Sequence, residues 1–249
     1  MSEFWLVASI GHCATRWLAD VLDAQDGMKA FHELKHHTCG MSWHEAAKYE
    51  RRNGPASSKY SEYWATIDKE MAENDIVAEV NSWVPHMVQR VCEHRPVDRL
   101  IYITRHGVNQ LHSMWVGSGV WPDKKLNDYL MNGYIAETSG VDVMGLDRWE
   151  RMCHFWNGSI RYAYILHKEL GADVIKYEDL TQTPYGLQRI LPHMTHAQTM
   201  HWRRRDINRK VEGSRRPGNL WEQWTPEMRE TFTAVCGDVM ADMGYEVPK

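Results

Sequence analysis

From Phe4 to Ile10 the chain reads FWLVASI, apolar at every position but Ser9. A strand with one solvated face alternates apolar and polar residues. An unbroken apolar run this short, closed by Gly11, is instead that of a strand covered on both faces, as parallel sheets require. From Thr15 the period changes. Trp17, Leu18, Val21 and Leu22 recur at three- and four-residue spacing, which predicts an amphipathic helix beginning just past the loop. A buried strand, a tight turn and a helix N-terminus in succession aim several backbone N–H groups at one point, and the helix dipole makes that point attractive to an anion. The loop Gly11-His12-Cys13-Ala14-Thr15-Arg16 has no Gly-Lys-Ser/Thr ending, so this phosphate cradle is not a Walker A loop.

The same alternation continues along the chain. Lys29–Leu34 reads as a short extended segment, and Ser42 as the cap of a polar helix to about Arg52, with Glu45 at the capping-box position. Asn53–Ser58 reads as a surface loop, Tyr63–Glu73 as a helix, Ile76–Val80 as a core strand, Val84–Cys92 as a helix and Arg99–Thr104 as a further strand. His106-Gly107 breaks the chain before a helix over Val108–Trp115, followed by a loop over Gly117–Asp123 and a helix over Lys125–Glu137. Leu146, Trp149, Cys153, Trp156, Ile160, Ala163, Tyr164 and Leu170 mark one long helix, with Gly171 as its cap. Then come a strand over Asp173–Tyr177, a short helix over Pro184–His193, a polar segment over His196–Asn219 and a terminal helix over Pro226–Met243. Strands separated by helices predict an α/β chain, a central parallel sheet flanked by helices in three layers with right-handed crossovers.

A length of 249 residues suits one such domain, spanning 1–249. The formal charge of −4 excludes a chain-wide basic surface of the kind that binds nucleic acid, so anions fall to local clusters such as Arg203-Arg204-Arg205 and Arg209-Lys210 with Arg215-Arg216. The five cysteines (Cys13, Cys39, Cys92, Cys153, Cys236) are scattered and contain no CxxC pair, which argues against a disulfide framework or a zinc site. His32, His36 and His37 lack the helical spacing and carboxylate of a metal site, so no metal is expected. With no basic leader and no apolar run near the length of a membrane span, the expectation is a cytoplasmic protein that engages neither membrane nor nucleic acid.

Further motifs follow the opening loop in a set order. Arg105 ends the strand RLIYIT, and Ser113 stands eight residues later in RHGVNQLHS. Lys176-Tyr177-Glu178-Asp179-Leu180 follows the long helix; Arg209, Lys210, Arg215 and Arg216 precede Trp221 and Trp224; and CGDVMADMGYE closes the sequence. From Phe4 to Tyr245 this order resembles the sulfotransferases that use 3′-phosphoadenosine 5′-phosphosulfate (PAPS). The resemblance implies a P-loop NTPase-like sulfotransferase fold, with PAPS as co-substrate and PAP as product. In that family the opening loop, usually Arg or Lys, Ser, Gly, Thr, Thr, holds the 5′-phosphosulfate. The matching residues here are His12, Cys13, Ala14, Thr15 and Arg16, with Thr15 a plain match and His12 where the family has its basic residue. An Arg and a Ser at the spacing of Arg105 and Ser113 hold the 3′-phosphate there, the Tyr of Tyr-Glu-Asp-Leu lies near the adenine, and a basic loop like Arg209–Arg216 closes over the 3′-phosphate. A two-pronged guanidinium and a hydroxyl are a sound recipe for a dianion. Taken singly, the loop also fits an ordinary strand-helix turn, Arg105 an ion pair, Ser113 a helix-face hydroxyl, Tyr177 core packing and the Arg run a solvated face.

The resemblance implies transfer of a sulfuryl group from PAPS to a hydroxyl or amine, in which positioning and charge stabilisation do most of the work. Loop N–H groups, Thr15 and a cation, Arg16 or protonated His12, would stabilise the leaving phosphate oxygen. The acceptor's proton needs a base. The candidates are Glu33 and His32 in KAFHELKH, Glu79 in IVAEVNS, and His86. Glu33 ranks first because some family members use a Glu shortly after the first helix; a surface pair with Lys35 is its plainer role. The acceptor, a small molecule or glycan, is not legible: Trp43, Trp64, Trp83 and Trp121 suit stacking on a ring and core packing equally. Two alternatives stand beside the enzyme. One is a sulfotransferase-like nucleotide-binding protein without turnover, motivated by the loop's missing Lys or Arg. The other is a P-loop kinase, disfavoured because Arg105 stands where a Walker B carboxylate would follow RLIYIT.

Overall fold

The structure is a computed structural model that describes residues 2–34, 57–82, 88, 91–92, 95–117, 138–142, 145–183, 185–202 and 220–248. The helices expected over 42–52 and 125–137, the loop over 118–123, most of the helix over 84–92, and the Arg-rich stretch 203–219 lie outside the described residues. So do His86, Arg209, Lys210, Arg215 and Arg216.

In chain order the elements are β1 (Glu3–Ala8), α1 (Thr15–Asp23), β2 (Met28–His32), α2 (Ser57–Glu73), β3 (Ile76–Asn81), β4 (Arg99–Thr104), α3 (Gly107–Gly117), α4 (Arg148–Leu170), β5 (Asp173–Lys176), α5 (Tyr177–Gln182) and α6 (Pro226–Asp242). Short 3₁₀ turns cover Gly186–Arg189 and Trp221–Gln223, and residues 196–202 are helical. The strands form one five-stranded sheet of order β2-β3-β1-β4-β5. The pairs β1–β3, β1–β4 and β2–β3 are all parallel. From β1 the chain runs to β2 on one side, and from β4 to β5 on the other, so the order reverses at the β1–β4 pair. Open parallel sheets bind ligands at the carboxyl ends of strands beside such a reversal.

Chain contacts divide the molecule into two compact units, residues 1–103 with 165–174 and residues 104–164 with 175–249. In the first, Phe4 and Leu6 to Ala8 of β1 are fully buried, because the strand has a neighbour on each edge and cover on its faces. α1 turns Trp17, Leu18, Val21 and Leu22 into that core and packs against β2 and β3, while Arg16 faces solvent. In the second unit, α4 and α6 join an aromatic core of Trp149, Trp156, Trp221, Trp224 and Phe232. The Trp156 indole donates to Gln110 Oε1 at 3.0 Å, which satisfies its one polar atom. Thr225 caps α6 by accepting the Met228 N–H at 3.3 Å, with Pro226 at the first helical position.

Several sequence expectations need correction. The loop expected over Asn53–Ser58 already holds helix at Ser57, serine being a residue type favoured at helix starts. Gly117 closes α3 rather than opening a loop. The strand expected over Asp173–Tyr177 stops at Lys176, and Tyr177 opens α5, where Glu178 and Asp179 favour the positive end of the helix dipole. The helix expected over Pro184–His193 is only the 3₁₀ turn Gly186–Arg189. Part of the polar segment expected over His196–Asn219 is helical, at 196–202.

Candidate functional site

In the first unit, β1 hands the chain to a turn at Ser9. The Ser9 N–H donates to Asn81 O at 3.3 Å, and its hydroxyl accepts the Gly11 N–H at 3.1 Å. Gly11 has φ 86°, while His12 and Ala14 both have φ 55°. A Cβ at Gly11 would meet nothing closer than Ser82 Cβ at 3.7 Å, so glycine answers the dihedral there and not crowding. A left-handed residue beside a right-handed one, as Ala14 stands beside helical Thr15, is the backbone pattern of an anion-binding nest. The nest runs into α1, whose N-cap, Ala14, has no side-chain oxygen to offer the first turn.

Thr15 lies in that first turn, buried, with its hydroxyl 3.0 Å from His32 Nε2. Cys13 points its thiol into the core, His12 is half-buried and Arg16 is exposed. Just past β2, Glu33 adopts φ 52°, donates its N–H to Val80 O at 3.0 Å and accepts the Ser82 hydroxyl at Oε1. Next to it, the Leu34 N–H donates to Glu79, 3.0 Å from Oε1 and 3.3 Å from Oε2, and Asn81 Nδ2 donates to the same Oε1 at 2.8 Å. Glu79 is completely buried. Burial pushes its carboxyl from 4.5 to about 8, against the pull of the Asn81 and Leu34 hydrogen bonds and with a smaller push from the charge of Glu33.

In the second unit, Arg105 is half-buried and its guanidinium carbon sits 4.7 Å from the centre of the Tyr177 ring. Stacking holds a guanidinium flat and leaves its N–H edge directed. The neighbouring His106 N–H donates to Glu178 Oε1 at 3.1 Å, and the Tyr245 hydroxyl donates to Glu178 Oε2 at 2.9 Å. His106 also meets Glu246 O through Nε2 at 3.3 Å and the Tyr245 ring edge-on at 5.2 Å. Burial pushes the His106 imidazole below its usual 6.5, although Glu178 pulls the other way. Ser113 stands half-buried on the second turn of α3.

Within the first unit the structure therefore brings together the loop Gly11–Thr15, His32, Glu33 and Glu79; within the second it brings together Arg105 and Tyr177. Ser82 and Asn81 carry no motif of their own in the sequence, and Tyr245 and Glu178 stand out in it only within their motifs. The one sequence signal for the Glu79 cluster was a carboxylate inside the apolar run IVAEVN. Among the described residues no group of three or more His, Cys, Asp or Glu is placed to hold a metal ion, and no helix is long and apolar enough to cross a membrane.

A five-stranded parallel sheet of this order, with a left-handed turn between its central strand β1 and α1, defines an open α/β fold. More narrowly, the fold is that of the sulfotransferases. A sulfotransferase from Alicyclobacillus acidocaldarius superimposes with a TM-score of 0.52 at 13% identity, covering 99% of this chain and 97% of that one. The sulfotransferase domain from the curacin biosynthetic pathway superimposes with a TM-score of 0.50 at 14% identity, covering 100% of this chain and 99% of its own. No family model matches the sequence, and no curated protein matches it.

Proposed function

We propose that this protein is a sulfotransferase that moves the sulfuryl group of PAPS to a hydroxyl or amine and releases PAP. The observation that carries the proposal is the opening turn, a nest of left-handed residues running into an uncapped helix whose first side chain, Thr15, is fixed by His32. Gly11, His12, Cys13, Ala14, Thr15 and Arg16 would receive the 5′-phosphosulfate, mostly through backbone N–H groups and the Thr15 hydroxyl. Arg105 and Ser113 would receive the 3′-phosphate, Tyr177 would stand by the adenine, and Arg209, Lys210, Arg215 and Arg216 would add positive charge. The sulfotransferase fold and the stacked, directed guanidinium of Arg105 support these assignments.

In the reaction, the acceptor oxygen or nitrogen forms a bond to sulfur as the bond from sulfur to the 5′-phosphate oxygen breaks. The acceptor's proton passes to Glu33, and PAP leaves with the electron pair. Negative charge grows on the leaving oxygen, where backbone N–H groups and Thr15 are worth most because they need no reorganisation. Glu33 is preferred as base over His86, Glu79 and His32 because its carboxylate is held by Ser82 and its turn is fixed, whereas Glu79 is completely buried and His32 meets Thr15. The acceptor, a small molecule or a glycan, would enter on the Glu33 side.

Calorimetry with PAP tests the assignment. Arg105→Ala should weaken PAP binding at least about tenfold, since hydrogen bonds to a charged group contribute about 1.5–3 kcal/mol; unchanged affinity overturns it. Glu33→Gln should keep PAP affinity and lower turnover by about 10² or more; an active variant moves the base elsewhere. A second reading, a nucleotide-binding protein without turnover, draws on the loop's basic residues being limited to half-buried His12 and exposed Arg16. Tight PAP binding with no transfer to any hydroxyl or amine would favour it.

A further inference from the structure

A carboxyl group with no exposed surface, on a core strand, is the least expected polar group in the first unit. Glu79 stands on β3 opposite Leu6 of β1 and Phe31 of β2, where an apolar residue would pack. Its oxygens accept from two donors, the Leu34 N–H and Asn81 Nδ2. Leu34 follows Glu33, whose φ of 52° is strained for a residue with a Cβ and persists only where the surroundings over-determine it. Three bonds do so here: the Glu33 N–H to Val80 O, the Ser82 hydroxyl to the Glu33 carboxylate, and the Leu34 N–H to Glu79.

We infer that Glu79 is a positioning residue, which by holding the Leu34 amide fixes the left-handed turn that presents Glu33. The inference rests on the role proposed above for Glu33. For hydrogen bonding alone a glutamine would serve, since both neighbours are donors. The acid adds an ionisation. Of the charged and titratable groups described on the surrounding elements, Arg16 and Asp20 on α1, Lys29 and His32 on β2, Asp68 and Lys69 on α2, and Glu33 beyond β2, only Glu33 acts on Glu79, and it disfavours a second negative charge. When Glu79 loses its proton, a buried anion faces another carboxylate, and among the described residues no cation acts on it. Leu34 and Asn81 donate more strongly to the charged carboxyl, so the repelled Glu33 carboxylate, held by the Ser82 hydroxyl, is what yields.

The test compares wild type with Glu79→Gln and Glu79→Ala. Wild-type kcat should fall along an alkaline limb centred at about 8. Glu79→Ala, which leaves the Leu34 N–H without its acceptor, should lower kcat at least tenfold while KM for PAPS changes less than threefold. Glu79→Gln should restore most of that turnover and abolish the alkaline limb. Undiminished kcat in Glu79→Ala, or an unchanged limb in Glu79→Gln, overturns the inference. A readout independent of activity separates it from the nucleotide assignment: the Leu34 amide resonance in ¹⁵N spectra should titrate with a midpoint at about 8 in wild type and stay flat in Glu79→Gln. A wild type that neither binds PAP nor transfers sulfate defeats the proposed function. A Leu34 amide that does not titrate defeats the positioning role, whatever the fate of the other.

Discussion

At the scale of single residues, Glu79 is a group whose protonation at neutral pH the fold itself decides. A carboxyl raised from 4.5 to about 8 is harder to ionise in the folded chain than in the unfolded one by about 5 kcal/mol. Between those two values the folded state binds a proton that the unfolded state has released, so stability falls as pH rises through that window and is lowest above it. Urea unfolding should therefore show wild type losing about 2 kcal/mol relative to Glu79→Gln between pH 6 and pH 8. Measuring against the variant removes the contribution of His106, whose lowered imidazole works in the opposite sense, with stability lost as pH falls. Parallel curves for the two proteins would mean that Glu79 is ionised at neutral pH after all.

At the scale of elements, Gly107 shows what a sequence displays and what it withholds. His106-Gly107 is visible as a break between a strand and a helix, but the demand for glycine comes from distant residues: a Cβ there would lie 3.0 Å from the Phe232 ring and 3.1 Å from the Trp156 ring. Both rings sit in a packed core and cannot retreat. Gly107→Ala should cost about 1–3 kcal/mol in overpacking, and at the first residue of a helix alanine recovers less than the ~1 kcal/mol it gains in an interior; a urea midpoint at or above wild type would contradict this. Runs such as RLIYIT were legible because burial on both faces leaves an unbroken apolar signature, and α1 because its period changes at Thr15. The start of α5 was not, since DVIKY is as apolar and aromatic as a strand and only Glu178-Asp179 at the helix N-terminus tips it. Thr15 and Arg105 could be nominated from motif spacing. The Glu79–Leu34 bond and the Glu178 clamp on His106 and Tyr245 join residues that strand register and a chain terminus bring together, and local sequence carries no mark of either.

At the scale of the whole molecule, net charge works against the proposed ligand. A chain of formal charge −4 and pI about 6.4 does not draw a nucleotide bisphosphate by its overall field, so affinity has to come from donors fixed at each phosphate. Selectivity should then follow the number and place of the phosphates. PAP carries a 5′- and a 3′-phosphate, AMP only the former, and ATP a chain of three at one end. If the opening loop takes the 5′-phosphate and Arg105 the 3′-phosphate, PAP at about 100 times its Kd contributes about 2.7 kcal/mol and raises Tm by about 5–10 °C. AMP at the same concentration should give a small fraction of that shift, and ATP with magnesium no more than AMP. In Arg105→Ala the advantage of PAP over AMP should disappear while the AMP shift persists, because only the 3′-phosphate has lost its partner. Equal shifts with PAP and AMP in wild type would remove the 3′-phosphate from Arg105, and a larger shift with ATP and magnesium would turn the opening loop over to phosphoryl chemistry.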